Sequence, residues 1–202
     1  MGDSSILKIA KTSWFFFVMA FLIVYILAIA VENNSAFAAG PWEGRIIDIE
    51  TKEPLEGVVV LAVWQRAYRT PTGEDTYFYD AKEVLTDKAG KFEIPSYSPI
   101  NLLPIISVIR EPEFTIFKPG YLSLSSRHLD ENVIDKPTEF KIYGKIYKLA
   151  PGVIELPKLK TREERLRNLP SGPTDVGAKK LPLFYKVVNE ENKNLGLEEE
   201  WR

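Results

Sequence analysis

Ser125, Ser126 and His128 fall within one short segment, and His128 is the single histidine of the chain. A serine nucleophile beside an imidazole base is the pairing that acyl-transfer chemistry uses, so this segment marks a hydrolase as the alternative reading. A triad needs a serine, a histidine and an acid that converge in space, and neighbours in one short segment cannot supply that by themselves. His128 therefore reads as a surface-loop histidine and the chain as a non-enzyme.

Metal chemistry is disfavoured. One histidine and no cysteine leave zinc without its usual ligands. Calcium would need several converging oxygens. Glu74, Asp75 and Asp80 lie close in sequence, and Asp48, Glu50 and Asp87 could meet at one end of a sandwich, yet no spacing matches a calcium loop. Asp48 and Asp87 read instead as turn residues that bond their own backbone. No cofactor is expected.

Aromatic side chains are the remaining candidates. Trp64, Tyr68, Tyr77, Phe78 and Tyr79 cluster in sequence, and three consecutive aromatics cannot all face one core. Exposed aromatics beside polar loops suit sugars or extended peptides, so Trp64, Tyr68, Tyr77 and Tyr79 are the candidate binding residues. The competing reading packs them against the C-terminal tail. Arg66, Arg69 and Arg110 read as isolated, solvated charges.

What must position these residues follows from composition and pattern. The chain has 202 residues, 45% hydrophobic and 12% aromatic, which suits one folded domain with appendages. A formal net charge of -2 supplies no basic field for nucleic acid. Lys8 and Lys11 precede an uninterrupted apolar run, Trp14 to Val31, and Ala36-Phe37-Ala38-Ala39 follows. Positive flank, apolar run and A-x-A are the parts of a secretory signal, with cleavage between Ala38 and Ala39. The run of 18 residues exceeds the usual signal core of about 7–15 residues. It is long enough to cross about 30 Å of hydrocarbon, so a retained single-pass anchor through residues 14–31 is the alternative. Both readings place everything after Glu32 outside the cytoplasm, and the short signal and the absence of cysteine point to a bacterial periplasm or cell envelope.

From Gly40 to about Pro151 the text is strands and turns. Trp42–Ile49 is a strand candidate, followed by the turn Glu50–Pro54. Val58–Trp64 is apolar on both faces, with Val58, Val60, Ala62 and Trp64 on one and Val59, Leu61 and Val63 on the other. Such a strand must be covered twice. Ala67 to Tyr79 carries loop residues, and strand signal returns at Tyr77-Phe78-Tyr79 and Ala81–Thr86. Lys82 to Pro95 reads as a hairpin about Asp87-Lys88-Ala89-Gly90. Ser96–Pro104 reads as a proline-rich loop. Ile105–Ile109 and Glu113–Phe117 are short strands, Lys118–Tyr121 is a Pro-Gly turn, and Phe140–Leu149 is the last strand or hairpin. Thr161 and Glu164 form a capping box for a short helix. A second helix runs from Pro182 to Leu195, with Leu183, Phe184, Val187 and Val188 on one stripe and Gly196 as its stop. These helices are the natural second cover for Val58–Trp64.

Three segments together resemble the carboxypeptidase regulatory-like domain: Gly44–Asp48 with Lys52–Val60, Val84–Ile94 with its Thr86-Asp87-Lys88-Ala89-Gly90-Lys91-Phe92 turn, and Phe117–Tyr121. The resemblance spans about Gly44 to Tyr121, a little over a third of the chain. It implies a transthyretin-like, Greek-key β-sandwich without catalytic residues of its own. The stretch Gln65–Asp80 and the helical tail depart from that module. The expected organisation is a signal or anchor over residues 1–38, an all-β sandwich over 39–156 and a helical tail over 157–202. The expected role is an exported module that binds protein or polysaccharide, or that supports an assembly; a membrane-tethered structural stub is the third reading.

Overall fold

The computed structural model describes residues 14, 16–25, 28, 40–103, 106–125, 138–142, 145–149, 152–173, 176 and 178–199, with backbone alone at 138–142, 145–149 and 178. Residues 16–25 are helical and exposed around their whole circumference. Among the described residues no helix is long and apolar enough to cross a membrane. Ala38 and Ala39, Ser126 and His128 lie outside the described residues.

Two sheets build the fold. The smaller has the order β10-β1-β4, from β1 (Trp42–Asp48), β4 (Lys91–Ile94) and β10 (Val153–Leu156). The larger has the order β3-β2-β6-β7, from β2 (Val59–Thr70), β3 (Gly73–Leu85), β6 (Glu113–Phe117) and β7 (Leu124–Ser125), with β5 (Ser107–Ile109) also on β2. β8 (Thr138–Ile142) and β9 (Lys145–Leu149) pair as a separate hairpin. The tail holds α1 (Arg162–Arg167), a 3-10 turn at Ala178–Lys180 and α2 (Pro182–Asn194).

The doubly apolar strand is covered as its pattern demands. Val58, Val60, Ala62 and Trp64 sit between the sheets with Ile46, Phe92, Ile94, Ile154 and Leu156. Val59, Leu61 and Val63 pack on the other side against Phe117, Val176, Leu181, Phe184, Tyr185, Val187 and Val188. Burying each such side chain contributes roughly 1.5–3 kcal/mol, so both faces of β2 add to stability. The cover comes from α2 and the chain leading into it. α1 buries no residue and is tied down by Arg165, whose Nε and Nη2 donate to Glu191 Oε1 and Oε2 at 2.7 and 2.6 Å.

The tail helices begin and end differently. α1 carries the expected capping box, with Thr161 accepting from the Glu164 N–H and Glu164 from the Thr161 N–H. α2 ends in a Schellman motif: Gly196 takes φ 70°, Leu197 N–H donates to Asn192 O at 2.8 Å, and Gly196 N–H donates to Lys193 O at 3.1 Å. At its start Leu181 offers no capping side chain and Pro182 no N–H. Glu83 of β3 caps it instead, its two carboxylate oxygens accepting from the N–H of Leu183 (2.7 Å) and Phe184 (2.9 Å). A carboxylate there also meets the positive end of the helix dipole. We expect Glu83→Ala to lower stability by about 1 kcal/mol, as cap removals do. Equilibrium urea unfolding checks this, and an unchanged midpoint would show that the cap is dispensable.

Three expectations are corrected. Residues 67–76 are not a loop: β2 and β3 continue as a paired arm, with Pro71 and Thr72 alone forming the turn between Thr70 and Gly73, while Tyr77, Phe78 and Tyr79 are strand as expected. Pro71 fixes its own φ and Gly73 takes φ 142°, so one tight turn absorbs all the loop chemistry. Lys82–Pro95 is not a hairpin: β3 stays on β2 while β4 crosses to β1. Thr86 holds the first connection, its Oγ1 donating to Leu55 O (2.6 Å) and accepting from Val58 N–H (2.9 Å). Gly90 fixes the second. It takes φ 72°, its carbonyl accepts from Ile46 N–H, and a Cβ there would lie 2.3 Å from Ile46 O. Finally, β8 and β9 match the expected final hairpin, but the strand that closes the smaller sheet is β10, parallel to β1 from Arg45↔Val153 to Asp48↔Leu156.

Candidate functional site

The arm of β2 and β3 extends past one end of the sandwich. Its register runs from Gln65↔Phe78 to Thr70↔Gly73, and Tyr79 is the extra residue of a bulge, since Trp64 opposes Asp80. β5 lines the other edge of the arm, with Arg66↔Ile109 and Tyr68↔Ser107. Paired residues share a face, so Arg66, Tyr68, Asp75 and Tyr77 lie on one side of the arm.

The four candidate aromatics divide sharply. Trp64 is only 1% exposed and belongs to the core, its ring centroid 5.7 Å from that of Trp42 and 4.6 Å from that of Tyr97. It is corrected here from ligand contact to core residue. Tyr79 is half-buried, and its hydroxyl donates to Ile100 O at 3.0 Å. The bulge turns it toward the loop before β5, where it props that loop. Tyr68 and Tyr77 are the pair that reaches the surface. Their centroids lie 5.9 Å apart at 72°, an edge-to-face contact, and Tyr77 is 54% exposed. Phe78 points to the opposite face and packs against the α2 side of β2. The tail therefore covers one aromatic of this set and leaves Tyr77 outside.

Two of the three arginines have side-chain partners. The Arg66 guanidinium stands 4.5 Å over the Tyr79 ring, a cation–π contact, and Arg110 is ion-paired with Glu74. Arg69 remains exposed.

Beside the arm, the segment between β4 and β5 presents four aliphatic side chains to solvent: Ile100 (62%), Leu102 (82%), Leu103 and Ile106. They are held out by a buried polar knot. Asn101 Nδ2 donates to Ser107 O at 2.8 Å, and its Oδ1 accepts from Leu103 N–H and Ser107 Oγ. This stretch is the proline-rich loop expected from sequence, and its apolar surface is new. The signal lay in the absence of any charge from Ile94 to Ile109.

At the opposite end the acids act as turn residues. Asp48 Oδ1 accepts from the N–H of Glu50 (2.7 Å) and Thr51 (3.0 Å), and Asp87 Oδ1 from those of Ala89 and Lys91. Tyr121 adds a hydroxyl donor to Asp48 Oδ2 at 3.0 Å. Burial would raise the Asp48 pKa, but the Thr51 and Glu50 N–H groups, the Tyr121 hydroxyl and the Lys158 charge together hold it below the usual value of 3.8. Asp80 is engaged too, accepting from Tyr97 Oη at 2.6 Å. Among the described residues no three acidic or histidine side chains group so as to hold a metal ion. Ser125 lies half-buried on β7.

Burial, and then the hydrogen bond to Asp48, push the Tyr121 phenol up to about 12 from 10.0. Tyr97 is raised by burial and by Asp80 in the same way. The folded state therefore holds these protons more tightly than the unfolded chain. The Tyr121 contribution is complete below pH 10.0 and is lost as pH rises through about 12. We expect urea midpoints to fall across that window and Tyr121→Phe to remove part of the fall. Parallel declines in both proteins would assign the loss to other groups.

No family model, curated protein or solved structure matches the chain.

Proposed function

We propose that the chain is an exported, non-catalytic β-sandwich module of the cell envelope that binds a protein or polysaccharide, or supports an assembly, through the Tyr68–Tyr77 face of its arm. The observation that carries this reading is the tyrosine pair on a paired arm beyond the core, with Tyr77 exposed and Tyr68 half-buried beside it. Two rings fixed edge to face are a rigid, amphipathic contact that loses little conformational freedom on binding. The basic flank and apolar run of residues 1–31 support export, either by cleavage between Ala38 and Ala39 or with residues 14–31 retained in the membrane.

A transthyretin-like Greek key is part of the same proposal. The motifs that resemble the carboxypeptidase regulatory-like domain have structural tasks that suit it. Gly57, Gly90 and Gly120 all take positive φ at the turns. Thr86 and Asp87 organise the crossing from β3 to β4.

The test compares partners cross-linked to the wild-type chain in its native envelope with those of Tyr68→Ala and Tyr77→Ala. Tyr77 is exposed and Tyr68 half-buried, and each change should shift stability by no more than about 1 kcal/mol, the span of a cross-strand pair. The expected result is loss of the same partner from both variants while Lys88→Ala, in the turn at the other end, retains it. An unchanged partner set in both tyrosine variants would end the proposal.

A further inference from the structure

We propose that Ile100, Leu102, Leu103 and Ile106 form a membrane-seating surface, and that they dip into the outer face of the bilayer that holds residues 14–31. The inference rests on the retained-anchor form of the reading above.

Three observations converge on a lipid occupant. The first is where the leader joins the fold. Gly40 packs on the start of the loop, since a Cβ there would lie 3.1 Å from Ser96 Cα. β1 then begins at Trp42, opposite Ile94, the last residue of β4. The chain therefore enters the sandwich at the end that carries the aliphatic loop. Between Val31 and Gly40 there are eight residues, whose full extension reaches only about 30 Å. An anchored domain is thus held close to the bilayer, by this end.

The second is the absence of charge in the loop itself. From Ile94 to Ile109 no residue is charged. The turns of the opposite end carry Glu50, Lys52, Glu53, Glu56, Asp87, Lys88 and Lys118. Placing a charged side chain in hydrocarbon is costly, so at this end the uncharged loop, and not the neighbouring arm with Arg69, Glu74 and Asp75, is the part that can enter lipid. Tyr77, beside it, is a residue that suits the headgroup level.

The third is that the exposure is built. The Asn101–Ser107 knot fixes the backbone and turns Asn101 inward while Ile100, Leu102 and Leu103 face out. The hydroxyl of Tyr79 and, more loosely, Arg66 Nη2 at 3.5 Å hold the Ile100 carbonyl. Adjacent aliphatic side chains kept in water by a buried polar network are the kind of exposed apolar patch that marks a contact surface.

The chain has no cysteine, so a single introduced thiol can be labelled uniquely. The full chain is reconstituted into vesicles of phosphatidylethanolamine and phosphatidylglycerol as Leu102→Cys, Ile100→Cys, Lys88→Cys or Phe21→Cys, each carrying an environment-sensitive fluorophore. Lys88 reports the opposite end and Phe21 the anchor. The expected result is a blue shift at positions 100 and 102, with quenching by shallow lipid-borne quenchers at about 5–10 Å depth, and water-like emission at 88. A water-like probe at both 100 and 102 while 21 reports lipid would overturn the inference and leave the anchor standing. A water-like probe at 21 as well would remove both.

Discussion

Trp64→Ala should lower the unfolding free energy by about 3–5 kcal/mol, the range for truncating a large buried aromatic. The indole lies between the sheets, edge to face with Trp42 and tilted against Tyr97. Trp42 in turn meets Phe114 at 5.7 Å. Removing the central ring takes away its own burial and the ring contacts it makes, and leaves a cavity that rigid strands on both sides cannot close. Urea unfolding followed by circular dichroism measures the loss. A decrease below about 1 kcal/mol would mean that the ring does not fill the core, and would return Trp64 to the surface role that the sequence suggested.

Phe184→Ala should cost a comparable 3–5 kcal/mol or so, for a different reason. Phe184 is fully buried where α2 meets the outer face of β2, beside Val59, Leu61 and Val63. Its loss should loosen the whole cover as well as the local packing. Two readings separate that from a simple cavity. The pair Lys179–Lys180, just before α2, should become a preferred trypsin site. The bared valine face should also make the variant prone to self-association, since an exposed apolar sheet face invites partners. If the variant kept both its urea midpoint and its trypsin resistance, the tail would be an appendage and β2 would need some other cover.

Trp64 and Phe184 show how the two covers of one strand were read. The alternation Val58–Trp64 already placed two apolar faces on opposite sides, because successive side chains of a strand point apart. It required two covers and named the tail for one. The structure gives that place to α2 and the chain leading into it, Val176 included; α1, expected to share it, buries no residue and is tied to α2 through Arg165 and Glu191. The candidate site was less legible. Four aromatics were visible as a cluster, but a sequence cannot tell a tryptophan between two sheets from a tyrosine on an arm. Exposure depends on where β2 leaves the core, and a single bulge at Tyr79 changes which rings face out.

What the amino-acid order determined by itself is therefore local. The capping box at Thr161, the stop at Gly196, the turns about Asp48 and Asp87 and the two-faced strand each depend on residues a few positions apart, whose geometry is set by backbone sterics and short hydrogen bonds. What only the tertiary structure decided is partnership across distance. β4 joined β1 instead of β3, β10 closed the smaller sheet in parallel, and Glu83 capped a helix a hundred residues away. A strand's hydrogen-bonding edge accepts many neighbours equally well. The choice among them comes from the apolar surface that the whole assembly can remove from water, which no short window of sequence contains.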